Sequence, residues 1–141
     1  MALDKITLSV AKELVDKAIA LRGKEFIYQR GRKADCMYVH HDEVWNDVRE
    51  DYEPADNGAQ PGCLVGLALS LHGVPLESME DHEGTDATGL LEALENDNVV
   101  TYDGDAARFL YRAQVAQDRG ESWGFARGEA TGLIDDEKFD N

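Results

Sequence analysis

The most apolar stretch of the chain, residues 60–73, constrains the fold more than any other feature. Pro61 stands near its start, where proline suits the first position of a helix, and Gly73 stands at its end, where glycine favours termination. Apolar residues between them would cover most of a helix's circumference, and such a helix has to be buried on several sides. The pattern therefore predicts a central core helix over about residues 61–72.

Helical spacing recurs on both sides of this core helix. An apolar stripe predicts an amphipathic helix over residues 3–22, which Thr7 or Ser9 would cap and Gly23 would end. Three later segments combine a capping residue with an apolar stripe, and their predicted caps are Thr85 or Asp86, Asp105 and Ser122. With a short turn or helix after Pro75, the sequence predicts five to six helices.

Two short segments, residues 25–28 and 36–40, are rich in the aromatic and β-branched side chains typical of strands. The residues between them are mainly polar and basic. We therefore expect a small β-hairpin over about residues 25–40, which residues 99–102 can extend. Together with the helices, this predicts an α+β fold that is mostly helical.

A chain of 141 residues has the usual size of a single domain, so residues 1–141 are predicted to form one unit. Residues 41–59 are polar, acidic and rich in residues that break regular structure, which predicts an acidic surface loop. Residues 135–141 are also acidic and are expected to fray.

The formal net charge is −15, and it is unevenly distributed. Residues 1–41 have eight basic and five acidic side chains, whereas residues 42–141 have six basic and 24 acidic ones. Such an acidic body repels nucleic acid and anionic membranes. It serves either for solubility alone or as a surface for a basic protein partner, including one that normally binds nucleic acid.

Cys36 and Cys63 are the two cysteines of the sequence, which permits one disulfide but not a disulfide-rich scaffold. The chain begins Met1-Ala2-Leu3-Asp4 without an apolar signal region, and its longest apolar run is too short for a membrane span. We therefore expect a cytoplasmic protein with both thiols reduced.

Cys63 lies at the start of the predicted core helix, where helix N–H groups stabilise a thiolate. With a base such as His40, it is a candidate catalytic nucleophile. The alternative is a packed core cysteine, since cysteine is among the most buried residue types. Cys36 and His40 could share a strand face as metal ligands, but no known metal-ligand spacing, nucleotide-binding motif or hydrolase motif occurs. Neither a metal nor a cofactor is predicted.

The basic segment of the predicted hairpin is the candidate ligand-binding site. Arg30, Arg32 and Lys33 could contact a phosphate, and Tyr28 could stack on a base. The alternative is a solvated hairpin tip that protects a strand edge.

Three separated motifs resemble one family. They are C-x-Y-V at residues 36–39, P-x-C-L-V-G-x-A-L at residues 61–69 and A-Q-x-A-Q-D-x-G-x-x-W-G at residues 113–124, with Gly73-Val74 between the second and the third. The pattern resembles a group of small proteins encoded by actinobacteriophages and their hosts, and it covers about half of the chain without residues 41–59. The resemblance implies a phage setting and brings no catalytic residue with it.

Three functional hypotheses follow. The leading one is a non-enzymatic phage protein that binds a host protein in the cytoplasm. The second is a module that binds or sequesters a nucleotide or phosphate, and the third is an enzyme that depends on Cys63. A homodimer through an apolar helical face is also possible for a domain of this size.

Overall fold

Six helices and one two-stranded sheet are present in the computed structural model, which describes residues 3–28 and 37–139. For residues 40–46, 51–59 and 133–139 the description is confined to the backbone. The chain is mostly helical with minor β structure, which confirms the predicted α+β class and the predicted number of helices.

Helix α1 (Leu8–Arg22) has the predicted caps. The Thr7 hydroxyl accepts a hydrogen bond from the Val10 N–H at 3.2 Å, and Gly23 ends the helix with a φ of 99°. Both signals are local, because each depends on residues within one turn of the helix end.

Residues 3–6 precede α1 and are not helical, in contrast to the prediction. They run beside residues 99–103 instead: the Ile6 N–H donates to the Thr101 carbonyl at 2.9 Å, and the Asp103 N–H donates to the Ile6 carbonyl at 3.1 Å. The prediction that residues 99–102 extend the hairpin was therefore wrong. Residues 99–103 form backbone hydrogen bonds with the N-terminal segment instead.

Strands β1 (Val39–Asn46) and β2 (Asp51–Pro61) pair in an antiparallel hairpin, which we call the arm (residues 39–61). The acidic loop predicted over residues 41–59 is therefore largely strand. Pro54 and Gly58 suggested a loop, but they lie at the two borders of an irregularity, since pairing shifts from His41 with Ala59 to Glu43 with Pro54. A bulge can hold such residues within a paired strand.

The predicted hairpin lies at residues 39–61 and not at residues 25–40, so its predicted position was wrong. Ile27 forms an isolated antiparallel bridge with Ser122, and the Phe26 carbonyl accepts the Trp123 N–H at 2.8 Å. Residues 25–28 thus lie beside the start of the last helix, and the predicted basic loop lies outside the described residues.

The apolar run forms helix α2 (Leu64–Leu71), which is shorter than predicted. Pro61 ends β2 instead of starting the helix, and Cys63 is the N-cap. The residues just before β1 hold the turn that precedes α2. The N–H groups of Gly62 and Cys63 donate to carbonyls of residues 37–38 at 2.9 Å each. Every residue from 64 to 69 is buried. The predicted burial on several sides is therefore confirmed.

Four further helices complete the described fold: α3 (Leu76–Glu80), α4 (Ala87–Asn96), α5 (Gly104–Asp118) and α6 (Trp123–Phe139). Asp86 and Ser122 make the predicted capping bonds to Gly89 and Phe125. Asp103 caps α5 in place of the predicted Asp105, which pairs with Arg108. Helix α6 continues through most of the segment that was expected to fray.

The core lies where α2 and α5 meet α1. Helix α2 contacts α1, α3, α5 and the end of β2, while α5 contacts α1, α2, α4 and α6. The apolar helix is therefore central, as predicted, but it shares that place with α5. Among the helices of the described residues, none combines the length and apolarity required to cross a bilayer.

Candidate functional site

Two glutamines of α5 are the buried polar side chains of the described part of the chain. Gln114 is 4% exposed and Gln117 is 2% exposed. Burying an amide without hydrogen bonds is costly, so the partners of these side chains explain why they are tolerated. Each of them accepts a hydrogen bond from a backbone N–H group at the start of another helix.

Gln117 joins α2 to α6. Its Oε1 accepts hydrogen bonds from the Leu64 N–H at 2.8 Å and from the Trp123 indole Nε1–H at 3.1 Å. Its Nε2 donates to Asp118 Oδ1 at 2.9 Å. Helix N-termini leave unpaired N–H groups, and Cys63 makes no side-chain capping bond. Gln117 thus supplies from α5 the cap that the residues around α2 do not provide.

Gln114 performs the same task for α4. Its Oε1 accepts the Ala87 N–H at 2.7 Å, and its Nε2 donates to the Tyr38 hydroxyl at 3.0 Å. The Tyr38 hydroxyl in turn donates to the carbonyl of Thr85. Tyr38, which directly precedes β1, is therefore connected to α4 and α5 through one continuous chain of hydrogen bonds.

This network keeps Tyr38 protonated. Burial is the largest cause that raises the pKa of Tyr38, and the hydrogen bond with Gln114 lowers it by a smaller amount. Nearby carboxylates of Asp86, Glu83 and Asp118 raise the pKa further, because a phenolate would be repelled by them. The hydroxyl is therefore a fixed donor and acceptor, unsuited to proton transfer near neutral pH.

Glu83 fixes the base of the arm. One carboxylate oxygen accepts the Tyr38 N–H at 2.8 Å, and the other accepts the Val39 N–H at 3.1 Å. Charge-assisted bonds of this kind are stronger than neutral ones. The start of β1 is thereby held against the turn between α3 and α4.

A cleft of about 300 Å³ opens beside this network. It is bounded by the loop before α4 and by one stripe of α5; the lining residues are Gly84, Thr85, Asp86, Tyr111, Gln114, Val115 and Asp118. Its volume is at the lower limit of the range for small-molecule sites. Its two carboxylates favour cationic groups over phosphates.

Cys63, the candidate nucleophile, is fully buried and disulfide-bonded. The prediction of reduced thiols was therefore wrong, and Cys63 has no free thiol for catalysis. The one other cysteine of the sequence, Cys36, lies outside the described residues. The Cys63 N–H donates to the Met37 carbonyl at 2.9 Å, so the chain next to Cys36 runs alongside Cys63. Spacing along the sequence could not reveal this proximity.

The remaining candidates are only partly described. His40 lies in β1, and its side chain is outside the description, as are Arg30, Arg32 and Lys33 entirely. Tyr28 is buried, and its hydroxyl accepts the Met37 N–H at 3.2 Å. Burial raises the pKa of Tyr28, against a smaller lowering by that hydrogen bond. The proposed stacking of Tyr28 on a base conflicts with its burial, while phosphate binding by the basic segment stays a prediction.

No group of three or more potential metal ligands is found among the described residues. Sequence reasoning also missed Glu83, Gln114 and Gln117 as functional parts of the fold. The signal for the two glutamines was their position on the buried stripe of α5, one turn apart.

No protein-family model, curated protein or solved structure matches the chain.

Proposed function

We propose that the chain is a non-enzymatic binding protein whose acidic surface binds a basic protein. The observation that carries the proposal is the charge: 29 acidic side chains against 14 basic ones, with the excess confined to residues 42–141. Complementary charge speeds encounter with a partner and selects against acidic competitors.

The arrangement of the polar core supports binding over catalysis. Gln114 and Gln117 cap helices, and Gln114 also donates to the Tyr38 hydroxyl. Cys63 is in a disulfide. These residues belong to the three sequence motifs that resemble the phage-encoded group, and in this protein they have structural tasks. The motif residues thus stabilise the fold, and we assign the function to the acidic surface.

The partner class follows from the same charge. Proteins that bind nucleic acid present clusters of lysine and arginine to phosphates, and an acidic surface can compete for those clusters. The resemblance to actinobacteriophage proteins supports a partner from the host. We therefore propose a host protein that normally binds nucleic acid. The cytoplasmic location belongs to this proposal, and the disulfide would have to persist there against the reducing conditions of that compartment.

Affinity capture from an actinobacterial lysate tests the proposal. The immobilised protein should retain a basic protein saturably, and rising salt should release it, because screening weakens contacts between exposed charges. Added duplex DNA should also release it. Retention that survives DNA, or no saturable retention at all, would contradict the proposed function. A matched bait with six acids neutralised should retain less; these acids are Asp42, Glu43, Asp47, Glu50, Asp51 and Glu53.

A further inference from the structure

The arm differs from the rest of the described chain in how it is stabilised. Its strands pair with each other, and their pairing runs from Val39 with Pro61 to Asn46 with Asp51. Within the described residues, neither strand pairs with any third strand. Both strands contact α3, and β2 also contacts α2, but in the described part of the chain each strand has the other as its strand partner. A third strand would add main-chain hydrogen bonds to this two-stranded sheet. The arm is therefore suited to accept one.

The two outer edges of the arm are not equivalent. Strand β2 contains Pro54, ends at Pro61 and is interrupted where residues 55–58 fall outside the regular register. Proline has no N–H to donate, so this edge cannot form a continuous ladder. Strand β1 contains no proline. Its outer edge is the better template for another strand.

The base of β1 is already occupied. The Val39 N–H donates to Glu83, so the edge considered for pairing begins after Val39, at residues 40–46. These residues extend over roughly 23 Å at the usual rise of a strand. That length matches an ordinary added strand of six to seven residues, by the general lengths of strands.

Charge selects the occupant of this edge. Residues 39–61 contain seven acidic side chains and one basic side chain, Arg49. A second copy of the chain would bring like charges against one another, which destabilises strand pairing. A strand rich in lysine or arginine would bring opposite charges instead.

We propose that the outer edge of β1 receives a basic β-strand of the partner protein, which extends the arm into a three-stranded sheet. The inference rests on the proposed function, since it assigns the acidic surface a particular mode of recognition. Main-chain hydrogen bonds supply affinity in this mode, while side chains of the added strand supply specificity. The lysines or arginines of the strand would lie near the acids of the arm.

Two peptides of equal charge test the mode of binding. The first alternates lysine and valine over nine residues, and the second has the same sequence with every backbone amide N-methylated, so that neither of its edges can donate hydrogen bonds to a ladder. We expect the methylated peptide to bind the full chain at least about tenfold more weakly by calorimetry, because it loses main-chain hydrogen bonds. Amide exchange at residues 40–46 should slow only with the first peptide.

Charge variants identify the location. The triple change Asp42→Asn, Glu43→Gln and Asp47→Asn removes three charges from the arm, and Glu77→Gln, Glu92→Gln and Glu95→Gln removes three from the helices. Only the arm variant should weaken the first peptide strongly, and circular dichroism of both variants checks that they fold. Equal weakening by the two sets would overturn the assignment to the arm.

The outcomes separate this inference from the proposed function. Equal, salt-sensitive binding of both peptides would overturn strand addition and leave the binding of basic partners intact. Capture of a basic protein from the lysate without binding of either peptide would likewise overturn strand addition and leave the binding of basic partners intact. Failure of the peptides and of the capture experiment together would overturn both proposals.

Discussion

Gly66 lies directly against the backbone of Tyr38. A Cβ atom on Gly66 would lie 2.8 Å from the Cα of Tyr38 and closer still to its carbonyl oxygen. Real Cβ atoms do not approach so closely, and the obstacle is backbone rather than a flexible side chain. Helix α2 can therefore pack against the residues just before β1 only because this position has no side chain.

Gly66→Ala should destabilise the protein by about 1–3 kcal/mol, the usual cost of overpacking a core, despite the better helix propensity of alanine. Urea unfolding measures the change. Gly128→Ala is the matched control, because a Cβ there meets nothing within 4 Å in a helix. It should be neutral or stabilising by up to about 1 kcal/mol. Equal effects of the two substitutions would contradict the close approach.

Gln117→Leu should cost about 2–5 kcal/mol, because it removes the acceptor of two buried donors, each worth roughly 1–3 kcal/mol when left unpaired. The donors are the Leu64 N–H and the Trp123 indole N–H. Chemical denaturation gives the free energy, and the indole proton shift of Trp123 reports the lost bond. The exposed Gln60→Leu change serves as control, and an indole signal that does not move would argue against the cap.

Tyr38→Phe should cost about 1–2 kcal/mol near neutral pH, because the hydroxyl loses its bonds to Thr85 and Gln114. The pKa of Tyr38 is raised in the folded state. Above about pH 10 the unfolded tyrosine ionises while the folded one stays protonated, so the native protein loses stability as pH rises.

The phenylalanine variant lacks this ionisation, so its deficit relative to the native protein should shrink above pH 10. Unfolding curves between pH 7 and 11 measure the difference. The exposed Tyr111→Phe change serves as the control and should cause only a small loss of stability at neutral pH. A deficit of Tyr38→Phe that grows with pH would contradict the raised pKa.

Reduction of the disulfide should lower the free energy of unfolding by about 2–4 kcal/mol, the typical contribution of such a bond. Thermal unfolding with and without a thiol reductant measures this, and Cys63→Ser should be insensitive to the reductant. Iodoacetamide should not label Cys63 in the native, unreduced protein. A non-reduced digest should link Cys63 to Cys36. Labelling of Cys63 at neutral pH would instead revive the hypothesis of a reactive thiol.

Local signals in the sequence predicted caps whose interactions span one helical turn, except at α5, where Asp103 takes the place of the predicted Asp105. Thr7, Asp86 and Ser122 were predicted as caps, and each accepts a hydrogen bond from a residue three positions later. Pro54 and Gly58 were misinterpreted, because they occur in loops as well as at irregularities in paired strands. The choice between these depends on whether a partner strand is present, and that partner lies elsewhere in the sequence.

The candidate site was beyond sequence reasoning for a similar reason. Gln114 and Gln117 stand 27 and 53 residues from the N–H groups they cap, and Glu83 stands 45 and 44 residues from Tyr38 and Val39. A capping residue this distant has no characteristic spacing. Only the packing of α5 against α2 and α4, and of the start of β1 against the turn between α3 and α4, brings these groups within hydrogen-bonding distance.

The sequence by itself determined the helical class, the central place of the apolar run and the acidic character of residues 42–141, because hydrophobic periodicity and charge depend on composition and short spacing. The tertiary structure alone decided that residues 39–61 form an arm, that Cys63 is in a disulfide and that α2 takes its cap from α5. Each of these depends on a contact between segments far apart in the chain. The burial of the apolar run could be predicted from its own residues. The start of helix α2 at its N-cap Cys63 depends instead on contacts with other segments of the chain.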